Sequence, residues 1–183
     1  MIFSDKKSRG SGGCPRFRHL QHHIDILIED NRWKTLNFDG LAGRVIDAVL
    51  EALKVEAAEV SVMACDDVRI TQLNSDFRTK PTATNVLSWP ESDLSPEEDG
   101  AQPHSPVSDP DGTVSLGDIA IAYDTCAREA AEQNKPMIDH VTHLIVHGTL
   151  HLLGYDHVRD LDATRMEALE VEILGNLGVP DPY

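Results

Sequence analysis

The sequence predicts a single α+β domain with one small mixed β-sheet of about four strands packed with helices. Two observations indicate this class. Strand-like segments occur in the first two thirds of the 183-residue chain, whereas the last third has the apolar spacing of helices. A chain of this length is also typical of one domain with its own hydrophobic core. We expect this domain to span 24–183, after a flexible basic tail over 1–23.

The first elements follow from the spacing of apolar residues. Ile24, Ile26 and Ile28 alternate with more polar neighbours, which predicts a first strand. Apolar residues at helical spacing predict a helix over 41–54. The segment 59–65 is rich in β-branched residues and predicts a second strand.

A short helix and a third strand are predicted next. Ile70, Leu73 and Phe77 have helical spacing, and the short apolar run Val86–Trp89 is typical of a strand. Pro90 ends that strand, because proline cannot donate a backbone hydrogen bond to a neighbouring strand.

The region 91–113 contains seven acidic residues, four prolines and no lysine or arginine, which predicts a solvated surface loop. The segment "SLGDIAIAY" after it predicts a fourth strand. Three helices are then expected over 124–134, 137–153 and 160–176, the second of them beginning next to Pro136.

Composition limits the function. The net charge of −15 argues against broad electrostatic capture of nucleic acid, so any bound polyanion must meet a local positive site. The three cysteines are widely spaced and indicate neither a disulfide framework nor a cysteine zinc site. We expect reduced thiols in a cytoplasmic protein. No apolar run is long enough to cross a bilayer, so no membrane partner is expected.

The segment "HGTLHLLGYDH" has the histidine spacing of a zincin-like metal site, H-x3-H-x5-H. His147 and His151 lie four residues apart, so a helix would place both rings on one face. Gly154 allows a left-handed turn that returns His157 to the same point. Three neutral imidazoles leave one coordination position open, which is typical of a catalytic zinc. The site would lie on the penultimate helix and the turn after it.

A rival ligand set includes His143, which is also four residues from His147. A straight helix would separate His143 from His151 by about 12 Å along its axis, too far for one ion. We therefore expect His143 to be a core group or a neighbour of the ligands.

Zinc peptidases with this spacing have a glutamate after the first histidine, and this chain has Gly148 there. Asp156 is a weak substitute, since its expected role is to brace the turn. A reaction with an anionic transition state, such as phosphodiester cleavage, fits better than peptide hydrolysis. Spacing alone does not choose between these reactions.

The sequence also resembles the YbeY family of bacterial and organellar endoribonucleases. The likeness includes "HGTLHLLGYDH" (147–157) and "LNSDFRTKPTATNVLSWP" (73–90). It extends in the same order to "LGDIAI" (116–121), "EAAEQ" (129–133) and "MEALEVEIL" (166–174). The resemblance covers the chain from about residue 24 onward.

The resemblance implies a metal-dependent, single-strand-specific ribonuclease that matures the 3′ end of small-subunit (16S) ribosomal RNA and acts in ribosome quality control. It implies His147, His151 and His157 as ligands of one zinc ion, with nickel as an alternative metal. It assigns the phosphate-binding, catalytic arginine to Arg78. The implied partners are single-stranded RNA, the small ribosomal subunit and its assembly factors.

The chain departs from the family pattern at two places. Phe77 and Trp89 replace the usual tyrosine and phenylalanine. The segment "RTKPTA" (78–83) lacks an acidic residue that family members carry there. The alternatives to a ribonuclease are a zinc metallopeptidase and a non-catalytic ribosome-assembly factor whose metal only holds the last helices together.

Overall fold

The computed structural model describes residues 22–78 and 80–183, and of Arg78 only the backbone. The strands are His23–Ile28 (β1), Ala58–Cys65 (β2), Val86–Pro90 (β3) and Val114–Ala122 (β4). The helices are Phe38–Ala52 (α1), Asp67–Arg78 (α2), Tyr123–Glu132 (α3), Met137–Leu152 (α4) and Asp160–Asn176 (α5). The predicted tail over 1–23 lies outside the described residues except for its last two.

The four strands form one sheet in the order β1-β2-β4-β3. The β1–β2 and β2–β4 pairs are parallel and the β3–β4 pair is antiparallel, so the predicted mixed sheet and α+β class are confirmed. The main core lies between one face of the sheet and helices α1, α4 and α5, where Val45, Ile119 and Ile145 are buried together. Helix α2 covers part of the other face through Ile70.

One element was not predicted, a 3₁₀ helix over Asn31–Leu36. Trp33 anchors this helix, because its ring is fully buried against Phe38 and its Nε1 donates to the carbonyl of Cys65 at 2.9 Å. The segment is too short to show a helical period, so only this tertiary burial identifies it. Helix α1 consequently begins at Phe38, three residues before the predicted start.

The acidic loop over 91–113 is not simply a solvated insertion. The Arg159 guanidinium donates to the carbonyl of Glu97 at 2.9 Å, and the Gly100 amide donates to Asp162 Oδ1 at 2.8 Å. These contacts attach the first half of the loop to the beginning of α5. The loop therefore lies against the turn that follows α4.

Helix α4 ends in a turn that depends on Gly154. This glycine has a φ of 85°, and the Tyr155 amide donates to the Leu150 carbonyl at 3.1 Å, which closes the turn. The acidic loop also approaches closely here, since a Cβ on Gly154 would lie 2.7 Å from atoms of Leu94. The position therefore needs glycine for its backbone angle and for its lack of a side chain.

We expect Gly154→Ala to lower the free energy of unfolding by about 2 kcal/mol or more, because it adds left-handed strain to a steric conflict. Thermal denaturation would then show a Tm lower by roughly 4–8 °C. Gly43→Ala is the matched control: a Cβ on Gly43, within α1, would meet nothing within 4 Å. That change should stabilise the protein by about 0.5–1 kcal/mol. Equal Tm values for the two variants would contradict this account of the turn.

Candidate metal centre

Two histidines of the candidate site lie on one face of α4. The ring centroids of His147 and His151 are 4.5 Å apart, and their Nε2 atoms are 3.1 Å apart. This closeness follows from the four-residue spacing, which places side chains one turn apart on the same helix face. The two Nε2 atoms therefore point toward a shared position.

His157 approaches the same position from the turn after α4. Its ring centroid is 5.2 Å from that of His147 and 5.1 Å from that of His151. Asp156 braces this turn, because its Oδ1 accepts a hydrogen bond from the His157 amide at 2.8 Å. One nitrogen from each of the three rings lies within 4.8 Å of the others. The structure thus brings together the three residues that the spacing singled out.

The geometry of this cluster fits a tetrahedral metal ion. Zinc–nitrogen bonds of 2.0–2.1 Å at tetrahedral angles place two ligand nitrogens about 3.3 Å apart, close to the spacing of the His147 and His151 Nε2 atoms. Burial, together with the neighbouring His147 and His157, lowers the pKa of His151 to about 4. His151 is therefore neutral at pH 7, as a metal ligand must be.

Glu170 of α5 lies directly behind His147 and is fully buried. Its Oε1 is 2.8 Å from His147 Nδ1, its Oε2 is 3.1 Å from His143 Nε2, and the Tyr183 hydroxyl donates to Oε2. Burial alone would raise the pKa of Glu170, but these three hydrogen bonds together lower it to about 2. Glu170 is therefore a carboxylate, which only accepts hydrogen bonds, so His147 Nδ1 must be the donor.

This tautomer of His147 distinguishes the trio His147, His151 and His157 from the rival ligand set. His143, His147 and Glu170 form a second group whose atoms are close enough to hold an ion. However, His147 directs Nδ1 to Glu170 and Nε2 to His151, so one ring faces both groups with different nitrogens. His143 contacts Glu170 and lies outside the trio, in keeping with the expectation that it neighbours the ligands.

Sequence reasoning missed Glu170 and Tyr183. A signal for Glu170 was present, because it occupies the apolar stripe of α5 that also contains Met166, Ile173 and Leu174, all buried. A charged residue in such a stripe needs a partner. Tyr183 gave no signal, since the chain after α5 has no period.

A cavity of about 410 Å³ lies beside the histidines, and His147, His157 and Glu170 contribute to its wall. Glu129 Oε2 lines another side, where it accepts from Asn85 Nδ2 at 2.9 Å and lies 2.9 Å from His140 Nε2. Within the described part of the chain, no lysine or arginine lines this cavity. A cation that neutralises a bound anion there must come from elsewhere.

Arg78 is the predicted source of that cation, and its side chain lies outside the described residues. Its backbone ends α2, and the chain continues to Asn85 at the cavity wall. Asn74 shapes this connection: its carbonyl accepts from the Lys80 amide at 3.2 Å and its Nδ2 donates to the Thr82 carbonyl at 2.8 Å. These hydrogen bonds hold residues 80 and 82 of the connection against α2, the helix that Arg78 ends.

Gly148 does not face the candidate centre. A Cβ at this position would lie 3.4 Å from Ile119 and 3.5 Å from Val86, which are side chains of the sheet. The position at which zinc peptidases carry their glutamate is therefore packed against the sheet in this protein. The peptidase alternative therefore lacks its carboxylate at this position.

Among the helices of the described residues, none is long and apolar enough to cross a bilayer.

The chain is similar to proteins of one known family. The family model described as Endoribonuclease YbeY matches residues 23–178. Endoribonuclease YbeY of Ruegeria pomeroyi is 59% identical over 162 residues, which cover 87% of this chain and 97% of that protein. The protein of the same name from Bradyrhizobium diazoefficiens is 44% identical over 162 residues, 87% of this chain and 84% of that protein.

The chain is also similar in fold to a solved structure. The solution structure of a Thermotoga maritima protein matches with a TM-score of 0.50 and 21% identity, covering 85% of this chain and 91% of that one. At this identity the match concerns the fold alone.

Proposed function

Because the chain belongs to the YbeY family of endoribonucleases, we propose that it is a metal-dependent endoribonuclease that cleaves single-stranded RNA. His147, His151 and His157 are the proposed ligands of one zinc ion. The observation that carries this assignment is the convergence of the three ring nitrogens on one point beside an open cavity. Imidazole ligands suit zinc and also nickel.

The side chains around the cavity have separate roles in this proposal. A zinc ion held by His147, His151 and His157 would supply a Lewis acid for the cleavage of the phosphodiester. His157, the exposed member of the trio, lies on the solvent side, where a substrate enters. Arg78 neutralises the negative charge that grows on the phosphoryl oxygens during cleavage.

The cavity favours single strands. Its volume of about 410 Å³ is small, near the lower end of the roughly 300–1,000 Å³ usual for ligand pockets. A single unpaired nucleotide matches such a space better than a duplex does, which supports single-stranded RNA as the substrate. Because the net charge of −15 repels RNA at long range, binding depends on local contacts at the site.

We also propose the biological setting that the motif resemblance implies. The RNA is the 3′ region of 16S ribosomal RNA, and the protein acts in the cytoplasm on the small ribosomal subunit together with assembly factors. A role in ribosome quality control belongs to the same proposal. Cleavage of a 3′-extended 16S transcript near its mature end, by the purified protein with isolated small subunits, would support it.

The test of the biochemical proposal is an incubation of the zinc-loaded protein with single-stranded RNA and with a duplex of the same sequence. We expect cleavage of the single strand, loss of cleavage after chelation, and recovery when zinc is added back. The matched control is unfolded casein, which the metallopeptidase alternative predicts to be cut. Metal binding without RNA cleavage would instead favour the non-catalytic assembly factor.

A further inference from the structure

A purely structural role does not explain why the buried residue Glu170 is charged. Its carboxylate is fully buried in the apolar stripe of α5, where burying a charge costs free energy that its partners must offset. Replacing a buried charged group together with its partners by well-packed apolar residues of similar volume is often neutral or stabilising. Stability alone therefore does not account for a carboxylate at this position.

The partners of Glu170 point to a different role. One oxygen accepts from Nδ1 of His147, and the other accepts from His143 and from the Tyr183 hydroxyl. Holding Nδ1–H in this way leaves the lone pair of His147 Nε2 facing His151 and His157. A carboxylate behind a ligand imidazole also makes that imidazole a stronger donor to a metal.

The segment after α5 brings Tyr183 back to this position. The Lys135 ammonium donates to the Pro182 carbonyl at 2.6 Å, and the Tyr183 amide donates to Asp181 Oδ1 at 3.0 Å. The tyrosine ring lies edge-on to His143, with centroids 5.8 Å apart. Its hydroxyl therefore reaches Oε2 of Glu170, whereas His147 contacts Oε1.

We propose that Glu170 is a positioning residue of the metal centre, which fixes the tautomer and orientation of His147, and that Tyr183 holds Glu170 in place. The proposal rests on the ligand set given under Proposed function. In this proposal Glu170 does not bind the ion itself, because it faces Nδ1 of His147 and the ion lies at Nε2. Tyr183 acts through Glu170, to which its hydroxyl donates a hydrogen bond.

The test measures the zinc affinity of the folded protein by competition with a chromophoric chelator. Glu170→Gln keeps the shape and an acceptor but loses the charge, and we expect it to weaken zinc binding by about 10- to 100-fold. Tyr183→Phe removes one hydroxyl from a largely exposed side chain, so it leaves folding intact. We expect that change to weaken zinc binding by about 2- to 10-fold.

Glu129→Gln is the matched control for zinc affinity. Glu129 also hydrogen-bonds a histidine of α4, His140, but that histidine is not a proposed ligand. We expect its zinc affinity to stay within about twofold of wild type, because the proposal gives this carboxylate no link to a ligand. A large loss of affinity in this variant would overturn the proposal by showing that the effect is not specific to Glu170.

A second readout separates positioning from simple structural support. Long-range proton–nitrogen NMR of the metal-free protein should show His147 protonated on Nδ1 in the wild type and in Tyr183→Phe. In Glu170→Leu we expect the Nε2-protonated tautomer to become populated. If the wild type binds zinc and the two variants Glu170→Gln and Tyr183→Phe bind it with the same affinity, this inference alone is overturned. Wild-type protein that binds no zinc would overturn the proposed function with it.

Discussion

The substitution His157→Gln is expected to abolish tight zinc binding and, with it, RNA cleavage. Loss of a residue behind a ligand costs about 10- to 100-fold in metal affinity, so the loss of a direct ligand should exceed about 100-fold. The effect should not arise from misfolding, because His157 is exposed on a turn that Asp156 and Gly154 already shape. Metal content after dialysis and cleavage of single-stranded RNA are the two measurements.

The variant His143→Gln provides the comparison that decides between the two ligand sets. His143 lies on the same helix as the ligands and contacts Glu170, but it is outside the trio. We expect this variant to retain its zinc after the same dialysis, with at most the loss of affinity typical of a neighbour of the ligands. If His143→Gln loses the metal and His157→Gln keeps it, the site is the group of His143, His147 and Glu170.

The elements near the centre could be predicted because their signals are local. The i, i+4 spacing of His147 and His151 places two rings on one face wherever a helix forms, and the apolar period of the segment favours a helix. The positive φ of Gly154 follows from its position after the last helical turn. These three features bring the next histidine within reach without any knowledge of the rest of the fold.

The parts that escaped prediction depend on contacts between distant segments. The position of Trp33 depends on β2, because the carbonyl that accepts its hydrogen bond belongs to Cys65, 32 residues away. The attachment of the acidic loop depends on Arg159, which lies 62 residues after Glu97. Tyr183 reaches its partners only when α5 has packed on α4. No period in the sequence encodes such pairings.

In the proposed site, Arg78 neutralises the negative charge of the bound phosphodiester. The cavity wall contains carboxylates, and no lysine or arginine of the described residues reaches it. In the proposal, the cation for a bound phosphodiester comes from Arg78, the last residue of α2. Arginine suits this role better than lysine, because its planar guanidinium pairs two donors with two phosphate oxygens.

Arg78→Ala is expected to lower kcat for single-stranded RNA by about 10²- to 10³-fold, the usual effect of removing one donor that stabilises transition-state charge. RNA affinity should fall less, and zinc content should be unchanged because no ligand is altered. Arg78→Lys should restore cleavage only in part, since an ammonium keeps the charge without the paired donors.

Arg69→Ala is the matched control, because it removes the same charge from the same helix. Arg69 pairs with Glu29 at 3.3 Å in the first turns of α2, about 14 Å along the helix axis from Arg78. We expect its kcat to stay close to that of wild type, which would show that position rather than net charge matters. Full cleavage by zinc-loaded Arg78→Ala, or an equal loss in Arg69→Ala, would contradict the assignment of Arg78 to the reacting phosphate.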